Sequence, residues 1–303
     1  MSSMWIEMLE AQVRFYNVNG IRTRVIEAGS GPTVLFLHGS GGHAEAFARN
    51  IVPLSRNHRV IAMDYLGSGL TDYPTHRPSM ADRVEHIVAL MELMDIPRAC
   101  LAGESFGGTQ AFAVARAYPE KISSVVAIVG GAFAVETDEA STLQWEKSML
   151  TMVERQRAFL ENPSRETVMK RLQWLFADSA SITEELVDVR WHFYQREAVR
   201  RSVADMTDMI AEDVAARRSG KPVQHRTDAL RPMTPEDLRA VRHPTLFIWT
   251  AHNPSTSART ARVAADYVPD SRFVLMEDCA HWPQWENPRA FNQVLAGFLE
   301  SST

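Results

Sequence analysis

Cysteine is scarce in this chain of 303 residues, with only Cys100 and Cys279 present. Two such residues offer no disulfide framework and no zinc-type cluster, so a reducing, cytoplasmic compartment is expected. Positive charge is short as well. Thirty-two Lys and Arg face 37 Asp and Glu, for a formal net charge of −5, which gives no electrostatic basis for binding nucleic acid or an anionic membrane. No apolar run approaches the roughly 20 residues that span a bilayer. The first eight residues lack a basic region followed by an apolar one, so no signal peptide is expected. Internal repeats and low-complexity segments are missing too. What remains is a globular chain, 45% hydrophobic, with ample material for a sizeable core.

The patterning is that of an α/β protein. Residues 13–18 and 21–27 read as strands joined by Asn19-Gly20, a strong hairpin signal. Residues 33–38, 59–64 and 122–129 are continuous apolar runs, as expected of strands buried on both faces. Residues 80–94 carry Val84, Ile87, Val88, Met91 and Met94 at helical spacing. Between about 134 and 232 no strand is evident. Helix-like stretches rich in Arg, Glu and Met cover 143–160, 164–176, 182–201 and 205–218, with joints at Gly220-Lys221-Pro222 and Arg231-Pro232. Strand and helix alternate again from 244. The expectation is a mostly parallel sheet with an N-terminal hairpin, its core formed by 1–133 and 233–303, and a helical cap inserted at 134–232.

Chemistry concentrates at Gly103-Glu104-Ser105-Phe106-Gly107, a G-x-S-x-G between a strand and a helix. Glycines let the chain turn sharply there and lift the serine hydroxyl to the C-terminal edge of the sheet. The following helix aims its N-terminus at the same point, which favours developing negative charge. Ser105 is therefore the expected nucleophile, and a serine needs a base. His281, in the loop after the last expected strand, is the preferred candidate. His38, at another strand end, is the alternative. The backbone N–H groups of Phe106 and of Ser40 or Gly41, in the glycine-rich loop 39–42, are the expected oxyanion donors.

These motifs, with Asp64 and Gly67-Ser68-Gly69, resemble those of the α/β-hydrolases. Cys279-Ala280-His281-Trp282-Pro283-Gln284-Trp285-Glu286 is more specific. With it, the chain is similar over nearly its whole length to the meta-cleavage product hydrolases, the C–C bond hydrolases of bacterial aromatic-ring degradation. The resemblance implies a substrate that is a vinylogous 1,5-diketo acid, whose dienoate carboxylate would be held by Arg190 and Trp282 beside Gly39. It implies no metal or organic cofactor, no nucleic-acid or membrane partner, and a homodimer or higher homo-oligomer. Trp145, Met149, Trp174 and Phe193 are expected to line the site.

The chain departs from the family pattern in three places. Asn253 stands where the family has the aspartate of its triad; an amide can orient His281 but cannot stabilise its imidazolium. Three readings follow: Asn253 orients the histidine by itself, Glu136 or Asp138 serves as the acid, or the position is altered. Glu104 replaces a small amide before the serine, and the first loop lacks the family's proline. Two rivals remain open on the same scaffold: a carboxylesterase or lactonase, and a degenerate hydrolase that only binds a small molecule.

Overall fold

A computed structural model describes residues 3–136, 138–219 and 232–302. Strands β1 (Gln12–Val18) and β2 (Ile21–Ala28) form the expected antiparallel hairpin. Asn19 and Gly20 turn it with φ of 51° and 86°, the left-handed pair that matches the twist of a two-residue hairpin. Six more strands complete the sheet: β3 (Thr33–Leu37), β4 (Arg59–Met63), β5 (Ala99–Glu104), β6 (Ile122–Ile128), β7 (Thr245–Thr250) and β8 (Ser271–Met276). Their order is β1-β2-β4-β3-β5-β6-β7-β8, parallel from β4 onward. The inner strands are buried on both faces, which explains their unbroken apolar runs, and each fully buried Val, Leu or Ile contributes about 1.5–3 kcal/mol.

The helices alternate with these strands: α1 (Met4–Glu7), α2 (Ala48–Leu54), α3 (Met80–Leu93) and α4 (Phe106–Ala117) before β6, then α5 (Glu139–Glu161), α6 (Arg165–Leu175), α7 (Glu184–Tyr194) and α8 (Glu197–Arg218) between β6 and β7, with α9 (Pro235–Ala240), α10 (Ala258–Tyr267), α11 (Pro283–Glu286) and α12 (Pro288–Ser301) in the last part of the chain. Side-chain caps start many of them; Ser79, for example, accepts from Asp82 N–H while the Asp82 carboxylate accepts from Ser79 N–H. Among the described residues no helix is long and apolar enough to cross a membrane.

Two boundaries differ from the sequence reading. The helix after Ser105 starts at Phe106, three residues before the small-residue helical pattern Thr109 to Tyr118 read from the sequence. The break expected between 201 and 205 falls instead at Gln195 and Arg196, whose N–H groups bond three residues back to His192 and Phe193 and tighten the end of α7. Apolar spacing continues through Phe193 and Val199, so periodicity alone hides the turn. The joints expected at 220–222 and at 231 lie outside the described residues.

Two close packings bring the loops at the C-terminal strand ends together. Asp64, fully buried at the end of β4, accepts from Arg24 Nε (2.6 Å), Ala44 N–H (2.8 Å) and Leu70 N–H (2.8 Å). Arg24 in turn forks onto Glu45 at 2.8 and 2.7 Å. At the elbow, a Cβ on Gly107 would lie 2.0 Å from the Leu37 carbonyl oxygen, and one on Gly103 2.2 Å from Gly107. Gly107→Ala therefore forces β3 and α4 apart; we expect a loss of about 2–4 kcal/mol in urea unfolding.

Burial holds His38 and His281 down to about 3 and His86 down to about 4. All three are neutral in the fold and charge on unfolding below their ordinary value near 6.5, so the unfolded chain binds more protons there. Glu104, pushed up to about 7 by burial, acts in the opposite sense but is a single group. Stability measured by urea titration is expected to fall as pH drops from 6.5 to 4.5; a flat or rising profile would contradict the neutral burial of these histidines.

Candidate functional site

Ser105 follows β5 directly and stands just before the first residue of α4, with φ 52° and ψ −116°. For a residue with a Cβ this backbone costs about 1–3 kcal/mol, held in place by the surrounding packing. Gly39–Gly42 follows β3, Asn253 follows β7 and His281 follows β8, so four parallel strands deliver these residues to one sheet edge. A cavity of about 1390 Å³ opens there, lined by Ser105, Glu104, His281, Trp282, Arg171 and Arg190 among others. Trp145, Met149 and Trp174 line it as expected, but Phe193 does not. Its ring packs 5.0 Å from that of His43 and beneath Arg24, because the face of α7 that carries it turns toward the sheet.

His281 meets Asn253 directly, with Nδ1 2.7 Å from Oδ1. The Asn253 amide nitrogen donates to the Thr256 carbonyl (2.8 Å), and the Ser255 hydroxyl donates to the same Oδ1 (3.2 Å). Oδ1 is thereby fixed toward the ring and can only accept, so the imidazole carries its proton on Nδ1 and turns an Nε2 lone pair to the cavity. Burial lowers this histidine first; the Arg171 and Arg190 charges lower it further. Its backbone N–H donates to the Leu175 carbonyl at the end of α6 (2.8 Å). The other acids are elsewhere. Glu136 is exposed, and Asp138 caps α5 through Ser141 N–H and pairs with Arg259 at 2.9 Å. His38 donates from Nδ1 to the Gly39 carbonyl (2.8 Å) and stacks on Tyr65, which makes it a support of the loop.

Arg190 is 1% exposed, not on a solvated helix face. Its Nη2 donates to the Gly41 carbonyl (2.8 Å) and its Nε to the Tyr194 hydroxyl (3.1 Å), while the guanidinium lies 5.4 Å from the centre of the Trp282 ring. Nη1 is buried with no hydrogen-bond partner among the described residues. Trp282 is itself buried, packed between Arg190 and Phe176. Arg171, not singled out from the sequence, donates from Nη2 to the Ser40 carbonyl (2.9 Å). Both arginines sit on the apolar stripe of their helices, Val168-Arg171-Leu172-Leu175 and Leu186-Arg190-Phe193-Tyr194. A charge at a stripe position was the available signal. The Ser40 and Gly41 carbonyls are thus held from α6 and α7, which fixes the loop that also carries their N–H groups. Phe106, the first residue of α4, has an N–H with no acceptor inside the helix.

Glu104 is the second residue that sequence reasoning undervalued. Its Oε2 accepts from Gly39 N–H (2.6 Å), and its Oε1 lies 3.3 Å from His281 Nε2. Burial pushes this carboxyl up to about 7, against the opposing pull of the Gly39 N–H, Arg190 and Arg171. The Trp285-Glu286 pair beyond His281 is an anchor. Glu286 accepts from Ala177 N–H (2.7 Å) and Ala280 N–H (2.9 Å), and Trp285 Nε1 donates to the Ser181 carbonyl (3.0 Å). These bonds tie the His281 loop to the chain following α6.

Comparison with known proteins agrees with this architecture. The chain is 28% identical over 285 residues to a 2-hydroxymuconate semialdehyde hydrolase of Pseudomonas sp. (strain CF600), covering 92% of this chain and 91% of the relative. It is 26% identical over 290 residues to a 2-hydroxy-6-oxo-6-(2'-aminophenyl)hexa-2,4-dienoic acid hydrolase of Metapseudomonas resinovorans, covering 94% and 90%. The crystal structure of a serine hydrolase involved in carbazole degradation superposes with a TM-score of 0.76 at 25% identity, covering 96% of this chain and 99% of that one. The family described as alpha/beta hydrolase fold matches residues 32–288. With the strand order, the elbow and that match in hand, the chain belongs to the α/β hydrolase fold family.

Proposed function

We propose that this enzyme hydrolyses a carbon–carbon bond in a vinylogous 1,5-diketo acid of the 2-hydroxy-6-oxohexa-2,4-dienoate type. The observation that carries the assignment is Arg190: a buried guanidinium with one nitrogen that has no partner among the described residues, beside Trp282, in the same cavity as Ser105 and His281. A planar fork with a free donor suits a substrate carboxylate, and an ester hydrolase has no need of it. The relatives named for dienoate hydrolysis support the same substrate class.

In this scheme Arg190 and Trp282 hold the carboxylate end. The 2-hydroxyl gives up its proton and C5 gains one, so the dienol becomes a ketone. Ser105, relieved of its proton by Nε2 of His281, then promotes addition at the C6 carbonyl, and the N–H groups of Phe106 and of Ser40 or Gly41 hold the oxyanion. The C5–C6 bond breaks. The elements of one water molecule are divided between the halves: hydroxyl to the acyl carbon, giving a carboxylic acid, and hydrogen to the C2 oxygen of the dienolate left by the broken bond, giving a short hydroxydienoate. Asn253 orients the imidazole. Residues 134–232 would act as a helical cap on a core made of 1–133 and 233–303, and by resemblance the enzyme would be a cytoplasmic homo-oligomer.

Loss of the visible absorbance of a panel of ring-fission products tests this. Wild type should bleach at least one; Ser105→Ala should slow that by about 10⁴-fold. Arg190→Met should lower kcat/KM by about 10–100-fold on the acid, and by less on a simple ester. Ester hydrolysis without bleaching would make this an esterase or lactonase, and neither activity would leave a binding protein.

A further inference from the structure

The site as described lacks a negative charge where its chemistry needs one. Nε2 of His281 must become cationic as it takes a proton, in a buried space that already faces Arg171 and Arg190. Asn253 contributes no charge at Nδ1. We propose that Glu104 is the carboxylate of this catalytic site, placed on the Nε2 edge of His281 opposite Asn253, where it balances the imidazolium.

The geometry is specific. With Nδ1–H committed to Asn253, Nε2 presents a lone pair to Oε1 of Glu104 at 3.3 Å. Two lone pairs at that distance repel, so at rest one proton lies between them and the two groups titrate as a pair. The Gly39 N–H fixes Oε2 and leaves Oε1 for the ring. Glycine at 39 is what admits this carboxylate, since a Cβ there would lie 2.5 Å from Oε2. The groups facing Glu104 are His281 after β8, Arg171 on α6, Arg190 on α7 and Tyr65 after β4, with Tyr194 behind Arg190. Among them only His281 lies within hydrogen-bonding reach of Oε1. The resting proton must leave the pair before Nε2 can accept one from Ser105 Oγ. Activity therefore rises with pH through the titration of the pair, and burial of Glu104, pushed up to about 7, sets that limb close to neutrality. Once Nε2 has taken the Ser105 proton, the imidazolium lies between the Glu104 carboxylate and the Asn253 carbonyl oxygen.

This inference rests on Ser105 and His281 acting as nucleophile and base, but not on the identity of the substrate. The test is accordingly the rate of covalent labelling by a fluorophosphonate, followed against pH. Wild type, Glu104→Gln, Asn253→Asp and the double variant are compared at matched thermal stability. Glu104→Gln keeps an acceptor for the Gly39 N–H. It should label on the order of 100-fold more slowly and lose the limb near pH 7. In that background Asn253→Asp should restore at least about 10-fold, because charge returns on the other ring edge. In the wild-type background, where charge is already present, the same change should gain less. Labelling of Glu104→Gln at the wild-type rate with its pH limb intact would overturn the proposal, as would equal gains from Asn253→Asp in both backgrounds. A wild-type chain that resists the label would remove Ser105 as nucleophile, and Glu104's role with it. A chain that labels normally but leaves ring-fission products unchanged would remove only the substrate assignment.

Discussion

Everything at the active edge depends on how closely β3 approaches the elbow between β5 and α4. Gly107 packs against the Leu37 carbonyl at a separation that leaves no room for a methyl group, and Gly103 packs as tightly inside the turn. That contact sets the loop after β3 beside Ser105 and gives Glu104 its bond to Gly39. A looser elbow would separate the serine from the N–H groups expected to hold its oxyanion. The strained backbone of Ser105 persists because packing on both sides over-determines it.

Much of this was legible in the sequence because it is written in local grammar. Asn19-Gly20, the buried apolar runs and the glycines around Ser105 each carry a backbone requirement that few other residues meet. The helices between β6 and β7 were legible as helices but not in their joints, since apolar spacing runs on past Tyr194 into α8. Of the site residues, the reading singled out those attached to motifs. Arg171 and the part played by Glu104 escaped it because their meaning is tertiary. An arginine in an arginine-rich helix differs from its neighbours only by facing inward, and a glutamate before the serine matters only once His281, far along the chain, lies next to it.

The electrostatics of the cavity are a balance of buried opposites. Two guanidinium groups, a carboxyl and an imidazole share a space where solvent screens little: burial pushes Glu104 up and His281 down, and the Arg171 and Arg190 charges pull both down. The arrangement is tolerable because much of its hydrogen-bonding capacity is used on backbone. Arg190 and Arg171 hold the Gly41 and Ser40 carbonyls, and Glu104 holds the Gly39 N–H. Polar groups satisfied in this way fix geometry as well as charge.

The two arginine-to-carbonyl bonds have a bearing on how such an enzyme can diversify. The loop beside Ser105 takes its shape from side chains more than a hundred residues later in the chain, on α6 and α7. A segment running from α5 to α8 therefore cannot be exchanged between relatives as a neutral module for choosing new substrates. A graft without basic side chains at these two positions would alter the catalytic loop along with the pocket. Descent with new specificity is channelled toward the cavity faces of α5 and α8, where Trp145, Met149 and Met206 line the space.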